Sequence, residues 1–147
     1  MNAVTASKTI PASVQQVFDA IQDPKRLARW WGPEGFTNTF NKFEFKPGGK
    51  WVFTMHGPDG KSYANESIFE EIVAPKKVVI LHICLPVFVL TIELTKSGEG
   101  TLLSWNQEFE DESVVTKLRD FLTKANNQNL DRLTQEVAST GNSGDSK

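Results

Sequence analysis

The chain of 147 residues has few of the side chains that carry most redox, metal and nucleophile chemistry. It contains one cysteine, Cys84, and two histidines. No intrachain disulfide can form, which is typical of proteins from a reducing compartment, so a cytoplasmic location is expected. One cysteine and two histidines give no ligand spacing typical of zinc sites. The sequence therefore predicts no metal site and no cofactor.

The chain also lacks an excess of basic residues and a long apolar run. Sixteen Lys and Arg against 18 Asp and Glu give a formal net charge of −2. This balance disfavours nucleic acid as a partner, because phosphate binding needs a basic surface. The longest apolar stretch, Val78 to Leu90, contains His82 and Pro86 and is too short to cross a bilayer. No membrane span and no leader segment are predicted.

The usual arrangements for nucleophilic or acid–base catalysis are missing as well. Cys84 has no base partner that the sequence identifies, and no Gly-x-Ser-x-Gly elbow occurs. Glu70 and Glu71 are neighbours on a predicted strand, so they are expected to face opposite sides. No catalytic residue is predicted. His82 keeps an enzyme among the alternatives, because a histidine in an apolar strand serves either proton transfer or structure.

Hydrophobic patterns divide the chain into a strand, two short helices, six strands and one long helix. The first predicted strand is Val4–Ile10; Ser13 caps the first helix and Pro24 opens the second. Period-2 alternation around Trp51 indicates a half-buried strand. The remaining strands are predicted at 37–45, 63–72, 77–84, 88–95 and 101–109.

The last element, from Ser113 to Val137, has no glycine or proline and predicts a long amphipathic helix. Its apolar stripe comprises Val114, Leu118, Phe121, Leu122, Ala125, Leu130, Leu133 and Val137. The sheet is the only available partner for this stripe, so the fold class is α+β. Arg132 and Glu136 are interpreted as an ordinary surface pair at i, i+4 spacing. One domain is predicted over 1–138, with a disordered tail over 139–147.

Two adjacent tryptophans, Trp30 and Trp31, stand immediately before a Gly-Pro pair. Such bulky side chains are normally covered, and Gly-Pro ends a helix, so the pair is expected at the mouth of a cavity between sheet and helix. An empty pocket of about 300 Å³ would cost roughly 7 kcal/mol. A small or closable cavity, partly filled by aromatic side chains, is therefore expected.

The element order and several motifs resemble the SRPBCC (START-like, helix-grip) superfamily. Within it, the chain is similar to bacterial homologues of the C-terminal domain of the activator of heat-shock-protein-90 ATPase, over about residues 5–138. The motifs are Leu27-Ala-Arg-Trp-Trp-Gly-Pro33, Phe45-Lys-Pro-Gly-Gly-Lys-Trp51, Met55-His-Gly-Pro-Asp-Gly60 and Lys124-Ala-Asn-Asn-Gln-Asn-Leu-Asp-Arg-Leu133. Many relatives have a Gly-Trp pair where this chain has Ala125-Asn126. The resemblance implies a curved antiparallel sheet of six or seven strands wrapped around the long C-terminal helix.

The superfamily covers several functions, so three are carried forward. The first is binding of a small hydrophobic molecule between sheet and helix, in a stress-related role. The second is interaction with a chaperone, and the third is a cyclase, dehydratase or hydrolase activity. The predicted ligand-binding residues are Trp30, Trp31, Phe36, Trp51, Phe53, Met55, Tyr63, Asn65, His82, Trp105, Gln107, Phe121, Ala125 and Asn129. A monomer and a homodimer are both left open.

Overall fold

The computed structural model describes residues 2–145, with side chains described through residue 139. The elements are β1 (Ala3–Ile10), α1 (Val14–Gln22), α2 (Pro24–Trp30), β2 (Thr37–Phe43), β3 (Lys50–His56), β4 (Ser62–Val73), β5 (Lys77–His82), β6 (Phe88–Ser97), β7 (Gly100–Phe109) and α3 (Glu112–Asp145). The predicted order of elements is confirmed. The predicted tail at 139–147 stays a prediction, since residues 146–147 and the side chains from 140 on lie outside the described part.

The seven strands form one antiparallel sheet in the order β1-β7-β6-β5-β4-β3-β2. Bulges interrupt the register between Phe40 and Lys42 and between Phe69 and Glu71. A bulge bends its strand and increases the local twist, which helps the sheet to curve. Glu70 and Glu71 are both exposed. The prediction that they face opposite sides was wrong, because the bulge breaks the alternation there.

The two short helices are set by local capping. Ser13 Oγ accepts from the Gln16 backbone N–H at 3.1 Å, and the Gln16 side chain accepts from the Ser13 N–H at 2.8 Å. Asp23 caps α2, whose first residue is Pro24. These caps satisfy backbone donors that a helix start leaves free. The buried faces of α1 and α2 join the core under the concave face of the sheet, and Trp30 Nε1 donates to the Ala20 carbonyl at 2.8 Å.

Helix α3 has two halves with different surroundings. In the anchored half, residues 126–137, Leu130, Leu133 and Val137 are almost fully buried. In the cavity half, residues 112–125, Leu118 is 44% exposed and Phe121 is 64% exposed. The apolar stripe that was expected to face the sheet is therefore partly exposed in the cavity half. There Val115 packs against Val4 and Phe109 in a small second core, whereas Phe121, Leu122 and Ala125 line a cavity.

Candidate functional site

A cavity of about 600 Å³ lies between the concave face of the sheet and the cavity half of α3. Its lining residues are Trp31, Gly32, Pro33, Phe36, Phe53, Met55, Tyr63, Ala64, Asn65, Ser67, Ile80, His82, Leu85, Pro86, Phe88, Leu90, Trp105, Gln107, Phe121, Leu122, Ala125, Asn126 and Asn129. None of these residues is Asp, Glu, Lys or Arg. An apolar lining with a few amide, indole and imidazole groups suits an uncharged, mainly apolar molecule.

The cavity is larger than the small one expected from the sequence. A dry void of this volume would cost about 14 kcal/mol, as much as the whole net stability of a domain. The space is not sealed, however, because two of its lining residues stand at the surface: Leu85 is 88% exposed and Phe121 is 64% exposed. Solvent or a ligand therefore has access to the space, and the penalty for a dry void does not apply.

Twelve of the fourteen predicted site residues line the cavity. They are Trp31, Phe36, Phe53, Met55, Tyr63, Asn65, His82, Trp105, Gln107, Phe121, Ala125 and Asn129. The turn residues Leu85 and Pro86 also line it, although the sequence indicated only a break between strands there. Nothing in the local pattern of that turn predicts a place at a cavity mouth.

Trp30 and Trp51 were expected at the cavity but lie behind its wall. The Trp51 ring is stacked between Phe53 and Phe69, at centroid distances of 4.3 and 5.8 Å. Trp30 packs edge-on against the ring of Trp31 at 5.7 Å. Both side chains are almost fully buried. Strand alternation correctly predicted that Trp51 points to the concave face of the sheet. Neighbouring aromatic rings, however, lie between Trp51 and the cavity.

His82 lies on the cavity wall and is held on both ring nitrogens. Nδ1 is 2.8 Å from the Pro86 carbonyl oxygen, and Nε2 is 2.7 Å from Asn65 Oδ1. Both oxygens only accept, so the neutral ring, which has one N–H, donates to one of them at a time. Cys84 Sγ lies 3.3 Å from Nε2. Phe88 stacks on the ring at 4.4 Å.

This geometry corrects the expectation that Cys84 has no base near it. Burial lowers the pKa of His82, and hydrogen bonds at Pro86 and Cys84 oppose that effect. Burial therefore disfavours the charged form of the ring. Two groups alone do not make a metal site, and among the side chains of residues 2–139 no cluster of three or more His, Cys, Asp or Glu is present.

Amide and indole groups form the polar part of the cavity near α3. Asn126 Nδ2 donates to Gln107 Oε1 at 3.0 Å, and both side chains are buried. This bond joins the helix to β7 across the core. Asn129 Oδ1 and Trp105 Nε1 are buried without a hydrogen-bond partner. Both atoms are almost fully inaccessible to water, so a molecule in the cavity does not reach them in this conformation.

Arg132 holds the segment that follows α2. Its guanidinium group donates to the backbone carbonyls of Arg29, Trp31, Gly32, Pro33 and Phe36, at distances of 2.7 to 3.3 Å. Burial lowers the pKa of Arg132. Glu136 instead pairs with Arg26 and Arg29, at 3.1 and 2.8 Å. The predicted surface pair between Arg132 and Glu136 was wrong, because partners distant in sequence take both side chains.

Gly32 lets this segment approach the cavity. Its φ is +98°, and a Cβ atom built there would lie 2.8 Å from Met55 Cε. Any other residue would be strained in that conformation and would also displace a side chain of the cavity wall. Arg132 and Gly32 together place the ring of Trp31, whose centroid lies 5.8 Å from that of Trp105.

Comparisons with known proteins agree with this architecture. The family described as "Activator of Hsp90 ATPase homolog 1-like protein" matches residues 11–138. No curated protein matches the chain. No helix in the described part of the chain has both the length and the apolar character needed to cross a membrane.

Several solved structures share the fold. A protein from Arthrobacter aurescens superposes with a TM-score of 0.86 at 24% identity, covering 94% of this chain and 87% of its own. A protein from Nitrosomonas europaea has a TM-score of 0.87 at 16% identity, covering 95% and 96%. The AHSA1-like protein from Aeromonas hydrophila has a TM-score of 0.74 at 17% identity, covering 95% and 94%. At these identities the similarity shows the helix-grip fold alone.

Proposed function

This chain belongs to the activator of Hsp90 ATPase homolog 1-like family, and from that premise we propose that it binds a small, mainly apolar molecule in the cavity. The observation that carries the proposal is the open cavity of about 600 Å³ without a charged lining residue. Pockets of about 300–1,000 Å³ with mostly apolar walls and a few polar groups are typical of small-molecule sites. Among the apolar and aromatic lining residues, Leu85, Phe121 and Tyr63 expose the most surface.

The cavity half of α3 supports the same proposal. Phe121 on α3 and Leu85 in the turn before β6 both line the cavity and are strongly exposed. Apolar side chains around the mouth of an apolar cavity lose water contact when a ligand seats among them, which favours binding. No acidic or basic side chain among the lining residues would have to be desolvated.

The experiment is to compare binding of Nile red, an uncharged apolar dye, by the wild-type protein and two matched variants. In Ala125→Phe the new ring projects from a cavity-lining position of α3 and occupies space that the ligand needs. In Asn127→Phe the same ring is placed on the exposed side of the same helix. We expect Ala125→Phe to weaken dye binding at least about tenfold and Asn127→Phe to leave it within about twofold.

A second measurement separates loss of binding from loss of folding. Urea unfolding of both variants gives their midpoints, and Ala125→Phe should keep a cooperative transition. Absence of dye binding by the folded wild-type protein, together with no response to a panel of sterols, fatty alcohols and aromatic ketones, would reject the proposal.

A second candidate function is interaction with a chaperone, which the family description favours. The exposed rim residues Leu85 and Phe121 are apolar side chains of the kind that protein partners cover. The test is to measure ATP turnover of the Hsp90-type chaperone with the wild-type protein and with Leu85→Ser. Stimulation by the wild type and its loss in Leu85→Ser would support the interaction, whereas unchanged turnover would reject it.

A further inference from the structure

The two edge strands of the sheet are protected to different degrees. On β2 a bulge follows Phe40, and Asn38 Nδ2 donates to the carbonyls of Ala28 and Trp31 at 3.0 and 2.9 Å, which ties α2 to that edge. A bulge and a covering helix both keep an edge strand from pairing with another chain. The register of β1 with β7, in contrast, is unbroken over Ala3–Ile10, and β1 contains no proline.

Every second residue of β1 directs its backbone to the open edge. The Asn2 carbonyl accepts from the Phe109 N–H at 3.0 Å, whereas the Ala3 carbonyl accepts from Arg119 Nη1 at 3.3 Å. Because the ladder of an antiparallel pair alternates, the even-numbered residues of β1 bond to β7 and the odd-numbered ones point their N–H and C=O groups away from it. The odd-numbered residues after Ala3 are all exposed, namely Thr5, Ser7 and Thr9.

The single charged side chain of β1 does not protect this edge. Lys8 Nζ lies 2.8 Å from Asp131 Oδ1 of α3, on the concave side of the sheet. A lysine that projects from an edge strand keeps other strands away, but the charge of this lysine is balanced within its own chain. The neighbouring residues Ser7 and Thr9 point to the convex side, since side chains alternate along a strand. Small hydroxyl side chains therefore border the open backbone groups there.

The open stretch is symmetric about Ser7, which suits pairing with a second copy of the chain. An antiparallel partner centred on Ser7 places Ser7 opposite Ser7 and Thr5 opposite Thr9 of the second copy. Each opposed pair then exchanges two backbone hydrogen bonds. The same register places Ala3 opposite Pro11 of the second copy, which has no N–H to donate. The Ala3 carbonyl already has a side-chain donor, so this register leaves it satisfied.

We propose that β1 pairs with β1 of a second copy, antiparallel and centred on Ser7, so that two seven-stranded sheets join into one. One strand pair buries less surface than a standard interface of about 1,600 Å². We therefore expect a weak dimer, with a dissociation constant of about 10–100 μM. No residue of β1 lines the cavity, so this proposal stands or falls separately from the proposed function.

The first experiment is sedimentation equilibrium of the full chain over about 5–500 μM. The average mass of the wild type should rise from 16.4 kDa toward twice that value. Thr5→Glu/Thr9→Glu places like charges directly opposite each other in the proposed register and should weaken association at least about tenfold. Thr5→Glu/Thr9→Lys changes the same two exposed positions but places opposite charges together, and it should associate within about threefold of wild type.

Amide hydrogen exchange of the wild-type protein then locates the contact. The N–H groups of Thr5, Ser7 and Thr9 should gain protection as the concentration rises through the dissociation constant, whereas those of Ala6 and Lys8, which already bond to β7, should not change. Urea unfolding checks that both double variants keep the wild-type midpoint. A wild-type mass that stays at that of one copy, equal association of the two double variants, or no gain of protection at the three odd-numbered amides would overturn the proposal.

Discussion

The two halves of α3 belong to one helix but make different kinds of contact. In the anchored half Leu130, Leu133 and Val137 are buried. Arg132 of the same half donates to backbone carbonyls at the end of α2 and in the segment that follows it. The cavity half exposes Phe121 and covers open space. Hydrophobic spacing shows which residues share a helix face, but it does not show what stands opposite that face. The anchored half therefore packs into the core, although its residues Asn126 and Asn129 also line the cavity that the other half borders.

This difference implies different local stabilities along the helix. Segments with few buried apolar contacts open at lower free-energy cost than segments in a packed core. In the cavity half only Val115 is almost fully buried, whereas the anchored half has buried side chains on each turn. We therefore expect the cavity half to open locally at a lower free-energy cost than the anchored half.

The largest expected effect is that of Arg132→Met. Methionine keeps an apolar stem but removes the donors that bind five backbone carbonyls. We expect the free energy of unfolding to fall by about 3 kcal/mol, because several partly buried acceptors lose their partner. Urea denaturation measures it. The control is Lys124→Met on the exposed side of the cavity half, expected within about 0.5 kcal/mol of wild type. Equal effects of the two changes would contradict the anchoring role.

A smaller effect is expected when the same substitution is made in each half. Leu133→Ala removes a fully buried side chain from the anchored half and should destabilise the fold by about 2–3 kcal/mol. Leu118→Ala removes a 44% exposed side chain from the cavity half and should cost less than about 1 kcal/mol. Thermal or urea unfolding gives both values. If the two substitutions cost the same, the cavity half is as tightly packed as the anchored half.

Much of the fold was predictable because it depends on local patterns. The Ser13 cap, the Pro24 helix start and the period-2 strand around Trp51 each follow from a few neighbouring residues, and the structure contains all three. The strand that was expected to end at Cys84 ends at His82, because the chain turns toward Leu85 and Pro86. Boundaries of this kind depend on tertiary contacts that the local pattern does not encode.

The candidate site was predictable only in part, for the same reason. Alternation gave the cavity face for Phe53, Trp105 and Gln107, since side-chain direction in a strand is a local property. It did not show that Trp51 would be covered by other rings. Arg132 was missed because its acceptors lie about a hundred residues away in sequence. No spacing rule along one helix reveals carbonyl partners on another segment.

The smallest expected effect is the contribution of His82 to the pH dependence of the free energy of unfolding. Burial holds the pKa of His82 below its ordinary value of 6.5. As pH falls below about 6.5, the unfolded chain therefore binds a proton at His82 more readily than the folded chain does. The free energy of unfolding that His82 contributes at higher pH is consequently lost as pH falls toward the folded-state pKa. Urea unfolding of wild type at about pH 8 and about pH 5.5 should show this loss, and His82→Gln should reduce it. His56→Gln is the control, since His56 contacts only Thr39 and Ser62 through its ring nitrogens at the surface. Because His82 faces the cavity, protection against hydrogen exchange, corrected for the intrinsic exchange rate at each pH, should fall at the lower pH more in the cavity half of α3 than in the anchored half. An equal fall in both would show that the two halves respond as one unit.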